Sequence, residues 1–136
     1  MSYTGMAWIA FAVSGIEGLM SQSDAVIGIP GDSVARYFLE SQSMSGVTKM
    51  PLSQQNLQNT SITQSSGITT MRFSKRVAEI VDHSNFLWAT GESNTLGYHS
   101  HKGVFKAEFL SGVIQVMPLA YHWQHHALGQ VVLSRV

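Results

Sequence analysis

The sequence predicts an all-β fold, an antiparallel β-sandwich. Short apolar runs recur along the chain, turn-forming clusters separate them at intervals of roughly ten residues, and no 3.6-residue apolar stripe precedes the C-terminal tail. With 136 residues, the chain suits one domain with a modest core.

Taken in order, "MAWIAFAV" (Met6 to Val13) is rich in aromatic and small apolar residues and is closed by Gly15 to Gly18, the pattern of a strand buried on both faces. A polar loop runs to Ser23, and "DAVIGI" (Asp24 to Ile29) is a second apolar run that stops at the turn Pro30-Gly31-Asp32. "VARYFLE" then alternates, with Val34, Arg36 and Phe38 on one side and Ala35, Tyr37 and Leu39 on the other, as the partner strand of a hairpin. Residues 41 to 59 carry Gly46 and Pro51 without a clear period, so they read as a long loop with one short strand at most. "TSITQSSGITTMRFS" reads as a hairpin about a Ser-Ser-Gly turn, and "NFLWATG", "GVFKAEFL" and "GVIQVM" as further short strands. These divide the chain into a sandwich over 1–112 and a strand and tail over 113–136, where His122 and His126 are spaced to share a helix face.

Composition excludes several functions. Eight basic and eight acidic residues balance, so no basic stripe exists for nucleic acid. There is no Cys, which removes disulfides, thiol catalysis, iron–sulfur clusters and thiolate zinc sites. Charged residues are only 12% of the chain, and the neutral polar surface that remains suits a secreted or luminal setting. No basic residue precedes the first apolar run, the first being Arg36, so that run is read as a strand and not as a signal peptide. No apolar stretch reaches the roughly 18 to 20 residues of a membrane span. Nucleophile elbow, phosphate loop, H-E-x-x-H and dinucleotide fingerprints are all missing, so hydrolysis has no positive evidence.

Seven Met and six His make soft and imidazole donors the conspicuous chemistry. Met20 lies among small polar residues in "GLMSQSD", and His99 in "LGYHSHKG". Presented from two loops on one rim, a Met sulfur and an imidazole nitrogen would make an axial pair for haem iron. Taken singly, a Met near a strand is more often core filler, and a Tyr-His pair more often a hydrogen-bonded surface feature.

The ordered phrases "GMAWIAFAVS", "GLMSQSDAVIG", "YFLE", "QNLQNTSITQSSGITTMRFSK", "FLWATGE" and "YHSHKG" resemble the DOMON family, named for the N-terminal domain of dopamine β-monooxygenase. The resemblance covers about residues 5 to 105. It implies an immunoglobulin-like sandwich, lacking the family's first strands, that binds haem b through Met20 and His99, with His101 as the alternative imidazole. It implies electron transfer and not catalysis by the domain itself. On the same footing Trp8, Phe11, Phe73, Phe86, Trp88 and Tyr98 are candidate walls for the porphyrin, and Arg72, Lys75, Arg76 and Lys102 candidate partners for its propionates. The implied redox partner is a transmembrane b-type cytochrome or a flavin domain, on the extracellular or secretory-lumen side.

Two other readings compete. Copper or nickel could be held by His99-x-His101, or by His122, His125 and His126. A non-haem module could bind a carbohydrate or small molecule through Tyr37, Trp88 and Tyr98. The sequon Asn59-Thr60-Ser61 would place that segment at the surface of a secreted chain.

Overall fold

The computed structural model describes residues 1–14, 19–75, 85–110 and 113–117, and for 105–110 and 113–117 the backbone alone. Among the described residues ten strands build two antiparallel sheets: β1 (Ser2–Thr4), β2 (Ile9–Val13), β3 (Ser23–Gly28), β4 (Val34–Leu39), β5 (Val47–Lys49), β6 (Gln58–Ser65), β7 (Ile68–Ser74), β8 (Asn85–Thr90), β9 (His101–Leu110) and β10 (Val113–Met117). Seven of them form a large sheet in the order β10-β9-β8-β2-β3-β4-β5, and β1-β7-β6 form a small sheet laid over one of its faces. The all-β sandwich is thus the observed fold. The helix spacing of His122 and His126, and Arg76, fall outside the described residues.

Local chemistry explains the turns. Between β3 and β4, Pro30 supplies the fixed φ of a turn's second position and Gly31, at φ 81°, the third, while the Asp32 amide donates to the Ile29 carbonyl at 3.0 Å. Between β6 and β7 both Ser66 (φ 52°) and Gly67 (φ 75°) are left-handed, the two-residue turn whose twist matches that of paired strands. The stretch from 41 to 59 holds one short strand, β5, between two single 3₁₀ turns, Met44–Gly46 and Leu52–Gln54, and its last two residues already belong to β6. The sequence reading has no strand before Met6. Ser2–Thr4 nevertheless pairs with β7 through Thr70, Thr69 and Ile68, and its three residues are too few for any period to show.

Alternation along each strand sends side chains to opposite faces of the large sheet. On the covered face, Ile9, Phe11, Val26, Met71 and Phe86 form one buried cluster, with Phe11 stacked on Phe86 at 5.3 Å and tilted against Phe73 at 5.8 Å. On the other face, Trp8, Ala12, Ala25, Ile27, Ala35, Tyr37 and Leu39 form a second cluster. Both faces of β2 are therefore buried, as its uninterrupted apolar run requires.

A charged group ties the sheets together. Asp24 Oδ2 on β3 accepts from Arg36 Nη2 on β4 at 2.7 Å and from Lys75 Nζ, just past β7, at 2.6 Å. Arg36 also donates to the Gln54 carbonyl and to Asn56 Oδ1, and the Gln55 amide bonds both the N–H and the carbonyl of Arg36, which pins the loop before β6 along β4. Burial works against ionisation of Asp24, but hydrogen bonds and charge from Arg36 and Lys75 outweigh it and hold the carboxyl below its ordinary value.

That depressed pKa dictates a pH signature. Asp24 contributes stability in full above the unfolded-state value, about 3.9, and loses it as pH falls through the lower folded-state value. Asp24→Asn strands two largely buried cations, so at pH 7 it is expected to lose about 2 kcal/mol or more by urea denaturation. The deficit relative to wild type should shrink as the solution becomes acid. A deficit constant from neutral pH into that range would sink the assignment.

Candidate functional site

The uncovered face of the large sheet is built from small residues where it could have been filled. Register aligns two rows across the strands: Lys102, Ala89, Ala10, Ile27 and Ala35 in one, and Val104, Leu87, Ala12, Ala25 and Tyr37 in the next. Alanine methyls in the middle of both rows leave a depression, which the segments before β5 and before β9 wall in. The result is a cavity of about 450 Å³, within the range of small-molecule and cofactor sites. Gln42, Ser43, Tyr98 and Lys102 line it and are exposed, so it opens to solvent along those residues. Tyr37 stands on the same face of the sheet but does not line the cavity; burial pushes its phenol above its ordinary value, with the Asp32 carboxylate adding to the effect.

Met20 and His99 both line this cavity. Met20 lies three residues before the start of β3 and packs, half-buried, on the cluster of Ala12, Ala25 and Leu39. His99 lies in the loop between β8 and β9, whose Ser100 amide donates to the Thr90 carbonyl at 2.8 Å. The sequence reading has them on one rim, and the structure corrects this. Val13 pairs with Asp24 and Ile9 with Thr90, so Met20 enters from one end of the strands and His99 from the opposite end.

His101 goes elsewhere. As the first residue of β9 it pairs with Thr90 and faces the small sheet, its ring 6.2 Å from that of Tyr3, with Ser100 Oγ 3.1 Å from its Nδ1. The two imidazoles therefore do not share a face, because His99 is still in the loop where strand alternation does not apply. Among the described residues no three His, Asp or Glu side chains gather into a metal-holding group. His122, His125 and His126 lie outside the described residues.

The aromatic candidates divide by the same alternation. Trp8 lies on the cavity face, and Trp8, Trp88 and Tyr98 line the cavity. Phe11, Phe73 and Phe86 do not line it: strand parity puts them in the core between the sheets, and the walls expected of them are a correction. Trp88 also packs on that inter-sheet core. Of the candidate propionate partners, Lys102 lines the cavity, Lys75 is engaged by Asp24, and Arg72 alternates with buried Met71 onto the exposed side of the small sheet.

Two glycines are needed for the space beside the tryptophans. A Cβ on Gly91 would fall 2.1 Å from Trp8 Nε1, and one on Gly103 would fall 2.4 Å from Trp88 Nε1. Sequence reasoning missed Met44, a second thioether on the cavity wall, carried by the 3₁₀ turn Met44–Gly46. The available signal was its setting among serines in "SQSMSGV", like that of Met20 in "GLMSQSD".

Comparison with known proteins finds no matching family model, no matching curated protein and no matching solved structure.

The contact between Gly91 and Trp8 is testable without any ligand. Gly91→Ala is expected to displace the indole, changing the tryptophan emission and costing about 1–3 kcal/mol in urea denaturation. Gly97→Ala, where the nearest atom to an added Cβ is 3.9 Å away, should change neither. Equal behaviour of the two variants would refute the account of Trp8.

Proposed function

We propose that this chain is a haem b-binding electron-transfer domain. Within that class we read it as a DOMON-type cytochrome, with Met20 and His99 as the axial donors. One observation carries the proposal: a thioether and an imidazole reach a single apolar cavity from opposite ends of the strands that form its floor. Two donors entering from opposite strand ends could hold a flat group between them.

The residues present fit the group. The alanine floor and the Trp8 wall supply an apolar surface for a porphyrin, the donor set is the Met/His pair of haem proteins, and the cavity crosses the sheet from β9 to β4, a span of about 19 Å over four inter-strand steps. When bound, haem supplies one-electron chemistry between ferric and ferrous iron. Met20 would contribute a neutral, soft sulfur, which favours the reduced state more than a second imidazole would. His99 would hold the other side, and the apolar floor would exclude water from the ring. With Met20 and His99 both holding such a group, the domain would pass electrons and would leave no place on it for a substrate. The partner fitting this role is a transmembrane b-type cytochrome or a flavin domain, on the extracytoplasmic side. No helix among the described residues is long and apolar enough to cross a membrane itself.

A non-haem ligand-binding module is the second reading, and exposed Tyr98 at the cavity mouth, 74% accessible, is what favours it. The apolar floor suits a flat aromatic guest better than a sugar, whose hydroxyls would be left unpaired there.

Titration with haemin, followed by dithionite reduction, separates the readings. Wild type is expected to give sharp low-spin bands. Met20→Leu and His99→Ala should each lose them, while Met44→Leu and His101→Ala should retain them. Bands lost with Met44 but not with Met20 would transfer the thioether role. A folded protein leaving the spectrum of free haemin unchanged would remove the cytochrome reading and leave the binding module.

A further inference from the structure

We propose that the cavity selects a guest that is apolar over most of its surface and anionic at one end, and that Lys102 is the residue that reads the anion. The inference deepens the haem reading and rests on it, since it assigns one end of the cavity to carboxylates such as the haem propionates.

Register places the side chain. Lys102 pairs with Ala89, and Ala89 pairs with Ala10, so all three stand on the cavity face of the sheet. The lysine stem has only a methyl group beside it, which lets its methylenes lie along the apolar floor while the exposed ammonium stays at the mouth. Among the described residues no Asp or Glu lines the cavity, and Lys102 is the one Lys or Arg that does. The ion pairs among the described residues both belong to Asp24, on the opposite face, so none of them neutralises Lys102.

The other basic side chains among the described residues, Arg36, Lys49, Arg72 and Lys75, lie away from the cavity. Arg36 and Lys75 are bound to Asp24. Arg72 lies on the outside of the small sheet, and Lys49, on the edge strand β5, does not reach the cavity lining. At the far side of the opening stand Gln42 and Ser43, which are neutral. Among the described residues, positive charge in the cavity lining is thus confined to the β9 end. A neutral guest would gain nothing from that ammonium, whereas a carboxylate at the mouth gains a charge-assisted hydrogen bond next to low-dielectric walls.

The test compares haemin with haemin dimethyl ester, whose carboxylates are capped, in wild type, Lys102→Gln and Lys102→Arg. Uptake is read from the porphyrin absorbance and from quenching of tryptophan emission, and folding of each variant from circular dichroism. Wild type is expected to bind haemin roughly three- to tenfold more tightly than the ester. Lys102→Gln should lose that preference and Lys102→Arg should keep it. The comparison cancels the difference in solubility between the two porphyrins, because each protein meets both. Equal affinity for the two in wild type, or a preference that survives in Lys102→Gln, overturns the role of Lys102 and leaves the haem reading standing. A wild type that binds neither porphyrin overturns both.

Discussion

Along β2, Ile9, Phe11 and Val13 face the small sheet while Ala10 and Ala12 face away from it, and β3 and β8 repeat the division with Val26 against Ala25 and Phe86 against Ala89. Bulk on one side, and on the other a central patch of alanine methyls flanked by Ile27, Leu87 and Tyr37, is the constraint from which the remaining architecture follows. Each large apolar side chain on the covered face contributes about 1.5–3 kcal/mol on burial, so the fold is secured there. The opposite face is then free to be underfilled. Had the alanines been leucines, the same strands would pair in the same register and the cavity would be gone.

The charges follow a similar partition. Asp24, Arg36 and Lys75 are gathered at the interface between the sheets, where the one carboxylate pairs with both cations. Among the described residues the cavity lining has no carboxylate, and its soft and imidazole donors are the thioethers of Met20 and Met44 and the ring of His99. A neutral, soft donor costs little to keep in an apolar wall, whereas a carboxylate would have to be hydrated or paired. Met20 can therefore sit half-buried against alanines with no hydrogen-bonding partner required.

Most strands were legible in the sequence because they carry both a period and a stop. "DAVIGI" before Pro-Gly-Asp and "ITTMRFS" after Ser-Ser-Gly are examples, and both became strands at those turns. Ser2–Thr4 was not legible, since it holds its place only through β7. Of the site, Met20 and His99 could be singled out as unusual donors, and they do meet in one cavity. Their approach from opposite strand ends could not be foreseen, because it depends on which strands pair. Nor could the aromatic walls be sorted, because Phe11 and Trp8 differ only in parity along a run that is apolar throughout. The glycines of "WATG" and "HKG" gain their reason only from the packing, each clearing room for an indole.

The small sheet also ends in an unusual way. Its outer strand, β6, slips register between Gln58 and Ser61, with Asn59 exposed at φ 52° and its amide donating to Ser74 Oγ at 3.3 Å. A strand edge interrupted in this way cannot template continuous pairing with another chain, since the ladder of free N–H and C=O groups is bent out of line. The residue at the interruption is the Asn59 of the sequon, so a glycan attached there would stand across the same edge. Backbone irregularity and sugar would then act together against β-aggregation of a sandwich whose surface carries little charge to keep copies apart.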